Sequence, residues 1–236
     1  MRLPLACILA GSLVLPAGSR GAEFVDDFEG GTNDAGWAYI AGFDTLEPVG
    51  GNPGWWLHSP ILDTFDPTLY SAVDGPTPFT GDYRAANVSK ISVDIQTLSV
   101  DFGDGSGFNV ILLLRDTNGT PFDIFDDDFA YSVGGSTPVE GAGWSHYEFD
   151  VPSQSNDPVP AGWSGGSVED CENFRPGVSW IDVMQSVDQV EFHYLHPCFF
   201  AIFQQWVVGA DNLRIEYEGT VSVEQASWGG IKALYR

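Results

Sequence analysis

Alternation of apolar and polar positions is the strongest pattern in the chain, and it predicts β-strands. Over residues 90–98, isoleucine and valine alternate with serine, aspartate and glutamine. Successive side chains of a strand point to opposite faces, so this segment predicts a strand that is buried on one face only. Residues 108–114 are apolar on both faces, as expected of a central strand, and the turn-forming residues 104–107 lie between the two. Shorter segments of the same kind predict strands at 24–28, 37–41, 54–58, 129–133, 146–151, 189–195, 199–208 and 213–217.

Within the predicted β-sandwich domain, one segment has the period of a helix. Ser179 can cap this helix, Asp182 follows three residues later, and apolar residues then recur at helical spacing. Residues 152–177 show no periodicity and predict a long loop. Many short strands with turn residues between them predict an all-β fold, namely a jelly-roll-like two-sheet antiparallel β-sandwich with one short helix.

Residues 1–19 have the features of a signal peptide, with one basic residue, an apolar run and a group of small residues before the cleavage point. The apolar run is too short to span a membrane, and no other stretch approaches the required length. We therefore expect the mature protein to be secreted or held at the cell surface, without a membrane span. The remaining chain divides into a β-sandwich domain at residues 20–219 and a C-terminal tail at 220–236, which is either a frayed helix or a sorting or attachment segment.

The charge of the chain excludes some classes of partner. Lys and Arg number 9 and Asp and Glu number 33, which gives a net charge of −24. Binding to nucleic acid requires a basic surface, so no nucleic-acid partner is expected, and anionic lipid is disfavoured for the same reason. The acidity is compatible with divalent cations, neutral sugars or adaptation to high salt. Asp123, Asp126, Asp127 and Asp128 crowd one loop, which we expect to be solvated.

Two cysteines remain once Cys7 is removed with the signal peptide. In an oxidising compartment, Cys171 and Cys198 are most simply explained by a disulfide. His193 and His196 precede Cys198, which leaves a metal site as the alternative. On a strand, however, these two histidines point to opposite faces.

Several short motifs follow one another in a recognisable order. They are Pro-Phe-Thr-Gly-Asp-Tyr-Arg at 78–84, the alternating strand at 91–95, Asn-Gly-Thr at 118–120, Trp-Ser-His-Tyr at 144–147, Val-Asp-Gln-Val at 187–190 and Ala-Asp-Asn-Leu-Arg-Ile at 210–215. Together they resemble the laminin IV type A (laminin B) domain over roughly residues 55–217. The resemblance implies a jelly-roll-like sandwich in a matrix or surface protein, without known catalysis. The chain departs from the family at 86–88, where Ala-Asn-Val stands in place of a glycine pair.

The two ends of the domain carry a second resemblance. Asp-Phe-Glu at 27–29 and Asp-Asn at 211–212 are similar to the first and last strands of carbohydrate-binding β-sandwich modules. In those modules the two strands meet and hold a structural calcium, so the resemblance implies a Ca²⁺ site formed by Glu29 and Asp211. Calcium takes about six to eight oxygen ligands, which carboxylates and carbonyls supply. The alternative is that Glu29 and Asp211 are turn and cap residues.

Aromatic residues supply the candidate ligand contacts. Ring faces stack on the C–H faces of sugars and need no charge. Trp55 and Trp56 are adjacent, so on a strand they point to opposite faces and one of them is a candidate stacking platform. Trp163, in a glycine-rich segment, is a second candidate, and burial in the core is the alternative for each.

Catalytic motifs are incomplete. Gly-Trp-Ser-Gly-Gly at 162–166 fits the nucleophile pattern but lacks a strand before it and a helix after it. Glu148 and Asp150 share one strand face and resemble the acids of laminarinase-type jelly-roll glycosidases, although the third acid is missing. We therefore expect a non-catalytic module for adhesion or glycan binding, whose partner is a glycan or an extracellular matrix or cell-surface component. A polysaccharide-acting glycoside hydrolase and a structural cell-envelope protein without a small ligand are the alternatives.

Overall fold

The computed structural model describes residues 21–72, 75–120, 123–196 and 203–219. The predicted signal peptide and C-terminal tail lie outside these ranges. Within them, no helix has the length and apolar character needed to cross a membrane. In chain order, the elements are β1 (Ala22–Asp26), β2 (Ala38–Tyr39), β3 (Thr45–Gly51), β4 (Gly54–Thr64), β5 (Thr68–Tyr70), α1 (Tyr83–Ala86), β6 (Val88–Val100), β7 (Asn109–Asp116), β8 (Asp128–Ser136), β9 (Ser145–Asp150), β10 (Trp163–Ser167), α2 (Trp180–Gln185), β11 (Gln189–His193) and β12 (Gln204–Tyr217).

The twelve strands of the described residues form two antiparallel sheets that pack face to face. The first sheet has the order β3-β4-β12-β6-β9, and β1 pairs with the C-terminal part of β12. The second sheet has the order β10-β8-β7-β11-β5-β2. The predicted all-β, two-sheet antiparallel sandwich is therefore confirmed, although the described chain contains two short helices where the sequence predicts one.

Two short elements are not visible in the sequence pattern. Helix α1 is a single turn, too short to show a period, and the side chain of Asp82 caps it by accepting the N–H of Ala85 at 2.8 Å. Strand β10 lies within the predicted loop at 152–177. Its sequence Trp-Ser-Gly-Gly-Ser has little strand propensity, and it becomes a strand because it pairs with β8 at the edge of the second sheet.

The main core lies between the sheets, and β6 contributes to it from the middle of the first sheet. Ile91, Val93 and Ile95 are fully buried on its inner face, as the alternation predicts. The polar residues Ser92 and Asp94 of the opposite face are also buried, at 2% and 5% exposed. The prediction of a half-buried strand is therefore wrong for the outer face, because the β3–β4 hairpin and the segment before β9 cover it.

Strand β12 joins two predicted strands into one. The sequence predicts two separate strands here, the first ending at residue 208 and the second beginning at 213. The strand instead continues through a bulge, at which Asn212 adopts a φ of 50°. Asparagine tolerates this left-handed conformation better than most residues, so the pairing resumes after one irregular step. The start of the predicted strand at 199–202 lies outside the described residues.

The outer face of the second sheet carries its own small apolar cluster. Ile111 and Leu113 of β7 meet Phe129 and Tyr131 of β8 there, while the other side of β7 faces the main core. The prediction that β7 is buried on both faces is thereby confirmed.

Part of the acidic loop before β8 is buried in ion pairs. Asp127 and Asp128 are 2% and 1% exposed. Arg115 Nη1 lies 2.9 Å from Asp127 Oδ2, and Arg175 pairs with Asp128. The expectation of a solvated loop is therefore wrong for these two residues, since two of the few cations in the chain compensate their buried charge.

The loop after β10 carries one cysteine of the predicted disulfide. Cys171 lies in a turn of this loop, and a Cβ placed on Gly166 would be 3.0 Å from its carbonyl oxygen, so the loop packs tightly onto the strand. Cys198 lies outside the described residues, and the Cys171–Cys198 disulfide stays a prediction.

Candidate functional site

The turn of the β3–β4 hairpin folds onto the outer face of the first sheet. Asn52 lies in this turn, where its backbone N–H donates to Asp211 Oδ2 at 2.5 Å and its side-chain amide donates to Asp94 Oδ2 at 3.1 Å. Asn212, in the bulge of β12, donates to the same Asp94 oxygen at 2.8 Å. Two side-chain amides, one from the hairpin turn and one from β12, therefore converge on one carboxylate oxygen.

The other oxygen of that carboxylate holds a histidine. Asp94 Oδ1 lies 2.6 Å from His146 Nδ1, across the pairing of β6 with β9. The side chain of Asp94 is 8% exposed and that of His146 is 56% exposed. Asp94 is thus a buried anchor that fixes polar groups reaching the surface, and charged acceptors of this kind make the stronger hydrogen bonds.

Two tryptophans lie beside these polar groups. Trp56 of β4 and Trp144, just before β9, pack edge to face with ring centroids 5.6 Å apart and an interplanar angle of 88°. The indole N–H of Trp56 donates to Val49 O at 2.9 Å, and that of Trp144 donates to Gly50 O at 3.0 Å. The hairpin therefore fixes the polar edges of both rings.

Trp56 lies across the sheet because β12 has a glycine beneath it. A Cβ placed on Gly209 would lie 2.3 Å from Trp56 Cζ3, well inside van der Waals contact. Trp56 is only 5% exposed, whereas Trp144 is half-buried. Trp56 is therefore a support, and Trp144 presents part of its ring to solvent.

We call Asn52, Trp144 and His146, with Asp94 and Trp56 beneath them, the hairpin surface. It combines a partly exposed indole with amide and imidazole groups whose positions are fixed by hydrogen bonds. Ligand sites commonly pair an aromatic face with a few oriented polar groups. This arrangement suits a neutral molecule with many hydroxyl groups, since the ring accepts an apolar face and the polar groups exchange hydrogen bonds with hydroxyls.

The structure separates the three tryptophans that the sequence nominates for ligand contact. Trp163 is 7% exposed and packs against Trp180 at 5.0 Å between ring centroids, which corrects its prediction as an open stacking platform. Trp55 packs partly buried against the main core, while Trp56 lies on the outer face. The adjacent pair therefore points in opposite directions, and the partly exposed rings among the described tryptophans are Trp55, on the core side, and Trp144, on the outer face.

Glu29 and Asp211, the predicted calcium ligands, both approach the β3–β4 turn. Glu29 Oε1 accepts the N–H of Trp55 at 3.1 Å, and Asp211 Oδ2 accepts that of Asn52 at 2.5 Å. Burial, with a smaller contribution from neighbouring aspartates, raises the pKa of Asp211 to about 7 despite the lowering effect of its backbone hydrogen bonds. The described residues contain no group of three or more acidic, histidine or cysteine side chains arranged to hold a metal ion.

The negative charge around Glu29 and Asp211 suits calcium, but these two residues supply only part of the oxygen ligands that calcium needs. A buried carboxylate near other acids favours a cation, yet Glu29 and Asp211 each already accept a backbone N–H. In this structure they fix the turn, which is the alternative that the sequence left open. The calcium site stays a prediction.

The candidate catalytic groups are engaged elsewhere or lack their context. Glu148 and Asp150 lie on the exposed face of β9, and Glu148 Oε1 is 2.7 Å from Lys90 Nζ. Residues 163–166 of the motif lie within β10 itself, and the next helix begins only at Trp180. This arrangement does not form the strand–turn–helix of a nucleophile elbow.

The two histidines of the alternative metal site bind other side chains. His193 Nδ1 lies 2.8 Å from Asp66 and its Nε2 lies 2.7 Å from Glu191. His196 Nε2 lies 2.9 Å from the hydroxyl of Tyr131. Within the described residues, His193 therefore belongs to an ion-pair network on the outer face of the second sheet.

The polar half of the hairpin surface is not apparent from the sequence. Asp94 and His146 occupy polar positions of alternating strands, where the pattern indicates solvent, and Asn52 is an ordinary turn residue. Asn52 and Asp94 are 42 positions apart, and Asp94 and His146 are 52 apart, so no local pattern shows that they meet. Trp144 does have a signal, as the tryptophan before a strand in the laminin-type resemblance.

Comparison with known proteins gives only distant similarities. No family model matches the chain, and no curated protein matches it. Among solved structures, an exo-β-agarase is similar with a TM-score of 0.46 and 14% identity, over 87% of this chain and 26% of that one. The CBM22-1–GH10 modules of Clostridium thermocellum xylanase 10B, complexed with xylohexaose, are similar with a TM-score of 0.44 and 13% identity, over 83% of this chain and 28% of that one. The agarase AgWH50C is similar with a TM-score of 0.45 and 11% identity, over 86% of this chain and 25% of that one. The chain thus spans about a quarter of each of these proteins, and the likeness is too weak to carry a functional argument.

Proposed function

We propose that this chain is a secreted, non-catalytic β-sandwich module that binds glycans of a matrix or cell surface through the hairpin surface. The observation that carries the proposal is the geometry of Trp144. Its ring is partly exposed, its edge is hydrogen-bonded to the hairpin, and Trp56 supports it from the side.

Preorganisation favours binding at this surface. A ring that is already fixed loses little conformational freedom when a ligand stacks on it, so more of the contact energy appears as affinity. The amide of Asn52 and the imidazole of His146 are held in the same way by Asp94. These groups both donate and accept hydrogen bonds, as the hydroxyls of a sugar require.

Charge narrows the class of glycan. The chain has a net charge of −24, and the hairpin surface lies over the buried carboxylates Asp94 and Asp211. A polysaccharide rich in carboxylate or sulfate would be repelled, so the proposal is for a neutral glycan. Glu148, on the exposed face of β9, is engaged in an ion pair with Lys90, and this supports a binding role over hydrolysis.

A glycan array followed by titration against the best neutral polysaccharide tests the proposal. The Trp144→Ala variant is expected to weaken binding by about tenfold, which corresponds to the loss of one aromatic stacking contact. His146→Ala, at a well-exposed position, is expected to weaken it by a smaller factor without affecting folding. Phe125→Ala is the matched control, since Phe125 is 73% exposed in the loop before β8, on the other sheet.

Two outcomes would refute the proposal. Failure of the wild-type protein to be retained by any glycan would refute the binding function. Wild-type affinity in both Trp144→Ala and His146→Ala, with their melting temperatures unchanged, would show that another surface binds.

A further inference from the structure

His193 lies between two carboxylates on the outer face of the second sheet, whereas the hairpin surface lies on the first. Its Nδ1 is 2.8 Å from Asp66 Oδ2, and its Nε2 is 2.7 Å from Glu191 Oε2. The histidine is 8% exposed and Glu191 is 3% exposed. Both ring nitrogens therefore face a carboxylate oxygen in a largely buried environment.

These two contacts require a charged ring. An ionised carboxylate can only accept hydrogen bonds, and a neutral imidazole has one donor nitrogen and one acceptor nitrogen. A neutral His193 would therefore point a lone pair at either Asp66 or Glu191. Burial alone would raise the pKa of Glu191, but Arg115 and His193 lower it to about 2, so Glu191 stays ionised. Only the imidazolium form of His193 donates to both carboxylates.

The charged groups next to His193 come from several elements. Arg115 of β7 pairs with Glu191 and with Asp127, which directly precedes β8. On the other side, Thr68 of β5 lies opposite His193, with its hydroxyl 3.1 Å from Nδ1. The titratable side chains at neighbouring positions are Tyr70, opposite Glu191 in β5, and His196, which binds the Tyr131 hydroxyl. The three carboxylates Asp66, Glu191 and Asp127 thus share two cations while His193 is charged, and one cation when it is neutral.

The contact between Asp66 and His193 holds a connection between the two sheets. Asp66 lies in the crossover at residues 65–67, which joins β4 of the first sheet to β5 of the second. The backbone N–H of Tyr194 also reaches this crossover, at 2.9 Å from Asp66 Oδ1 and 3.2 Å from Pro67 O. Strand β5 has only three residues, and β2, which pairs with it, has two. A charged hydrogen bond therefore reinforces an edge that has few backbone bonds.

We propose that the charged His193 is a latch that holds the β4–β5 crossover against β11, and that alkaline solution opens this latch. Glu191 keeps Arg115 as a partner when the histidine loses its proton, whereas a neutral ring donates to only one of the two carboxylates. The side chain of Asp66 is 18% exposed and that of Glu191 is 4% exposed, so Asp66 is the one that turns towards water. The crossover then loosens while β11 and β7 stay paired. The latch is separate from the hairpin surface and does not depend on glycan binding.

The same contacts set the pH at which the latch opens. Burial would lower the pKa of His193, but the hydrogen bonds and charges of Asp66 and Glu191 raise it to about 9. Because this folded-state pKa lies above the usual 6.5, the latch is fully closed below pH 6.5 and opens as the pH rises through 9.

Nuclear magnetic resonance on the intact protein tests the proposal. We expect the nitrogen-15 shifts of the His193 ring to show two protonated nitrogens at pH 7 and loss of a proton near pH 9. Over the same range, the protection factor of the Tyr194 amide, corrected for the intrinsic pH dependence of exchange, should fall by about tenfold, as for the loss of a charged hydrogen bond. The Val151 amide donates to Ser89 O in the first sheet and should keep its protection.

Asp66→Asn removes one of the two charges that hold the ring, with little change of size. The pH at which Tyr194 loses protection should fall by about 1–3 units, since an adjacent opposite charge shifts a pKa by that amount. Asp63→Asn is the matched control, because it makes the same change at an exposed carboxylate of β4 that binds Gln205. The control should leave the transition in place.

A His193 ring that is neutral at pH 7 would overturn the charged state. Loss of the ring proton without loss of Tyr194 protection would overturn the latch, and so would loss of Val151 protection at the same pH, which would indicate global unfolding. Equal transitions in the wild type and Asp66→Asn would also overturn it, because Asp66 would then not hold the histidine.

Discussion

Gly209 lies directly under the ring of Trp56, and the free space above its Cα lets the ring lie flat on β12. The ring in turn supports Trp144 and is held at its edge by Val49 O. A glycine in the middle of a strand usually weakens the strand. The close approach of the Trp56 indole explains why β12 has a glycine at this position. The support of the hairpin surface therefore depends on the absence of one methyl group.

Gly209→Ala is expected to displace Trp56 and to lower the free energy of unfolding by about 1–3 kcal/mol, as overpacking does. The near-ultraviolet circular dichroism of the tryptophans should change with it. Gly135→Ala is the control, because its new Cβ would meet Tyr147 at an ordinary 3.7 Å. Equal stability of the two variants would contradict this account of Gly209.

The β3–β4 hairpin is the element that turns an ordinary sheet face into a candidate site. Carboxylates from three parts of the chain hold its turn: Glu29 after β1, Asp94 of β6 and Asp211 of β12. Each forms a bond that the turn could not make by itself. The hairpin is therefore positioned by tertiary contacts, and its own sequence sets only the turn.

Asp94→Asn tests this dependence on buried carboxylates. The substitution replaces an acceptor of two amides and one histidine with a group that cannot accept at both ends, so a loss of about 1.5–3 kcal/mol is expected. Hydrogen exchange at the Asn52 amide should become faster. Glu148→Gln makes the same chemical change in an exposed pair with Lys90 and should lose less than about 1 kcal/mol. Similar losses in both variants would show that Asp94 is no anchor.

At the same scale, the sequence predicts most strands but not how they are covered. The alternation in β6 identifies its inner face correctly because period two follows from strand geometry alone. It misassigns the outer face, since Asp94 is buried by a hairpin whose turn is 42 positions away. The bulge at Asn212 likewise falls where the partner on one side of β12 changes, since β4 pairs up to Ala210 and β1 begins at Leu213. Local patterns specify elements, whereas the site arises from contacts between distant segments.

The whole molecule combines a large negative charge with a few buried ionisable groups. Burial raises the pKa of Asp211 to about 7 and that of Asp26 to about 6, from a usual 3.8. Burial alone would raise the pKa of Glu191, but Arg115 and His193 lower it to about 2. Burial would lower the pKa of His193, but Asp66 and Glu191 raise it to about 9. These four groups give the stability a definite dependence on pH.

Stability is expected to be greatest near pH 4. Asp211 and Asp26 bind protons more readily when folded, so their penalty is full above pH 7 and is relieved as the pH falls towards 3.8. Glu191 stabilises above pH 4.5 and loses this effect as the pH falls through 2. His193 stabilises below pH 6.5 and loses its effect as the pH rises through 9. Urea denaturation across this range checks the profile, and Asp211→Asn should flatten the decline between pH 5 and 8. A wild-type maximum at pH 8 would contradict it.

Calcium and general salt are distinguished by melting experiments. If Glu29 and Asp211 hold calcium as the sequence predicts, millimolar CaCl₂ raises the melting temperature more than NaCl or MgCl₂ of equal ionic strength, because only a bound ion stabilises by mass action. Asp211→Asn is expected to abolish the difference. An equal response to all three salts would attribute the acidity to salt adaptation and remove the calcium site.

The pairing of β1 with β12 has a mechanical consequence. Ala22 lies opposite Tyr217, so the two ends of the described domain leave side by side from the same edge of one antiparallel pair. A pulling force applied between those ends separates the strands one residue pair at a time, like a zipper, and does not load their hydrogen bonds together in shear. A tether through both ends would therefore peel β1 away at low force, while the rest of the sandwich and the hairpin surface stay folded.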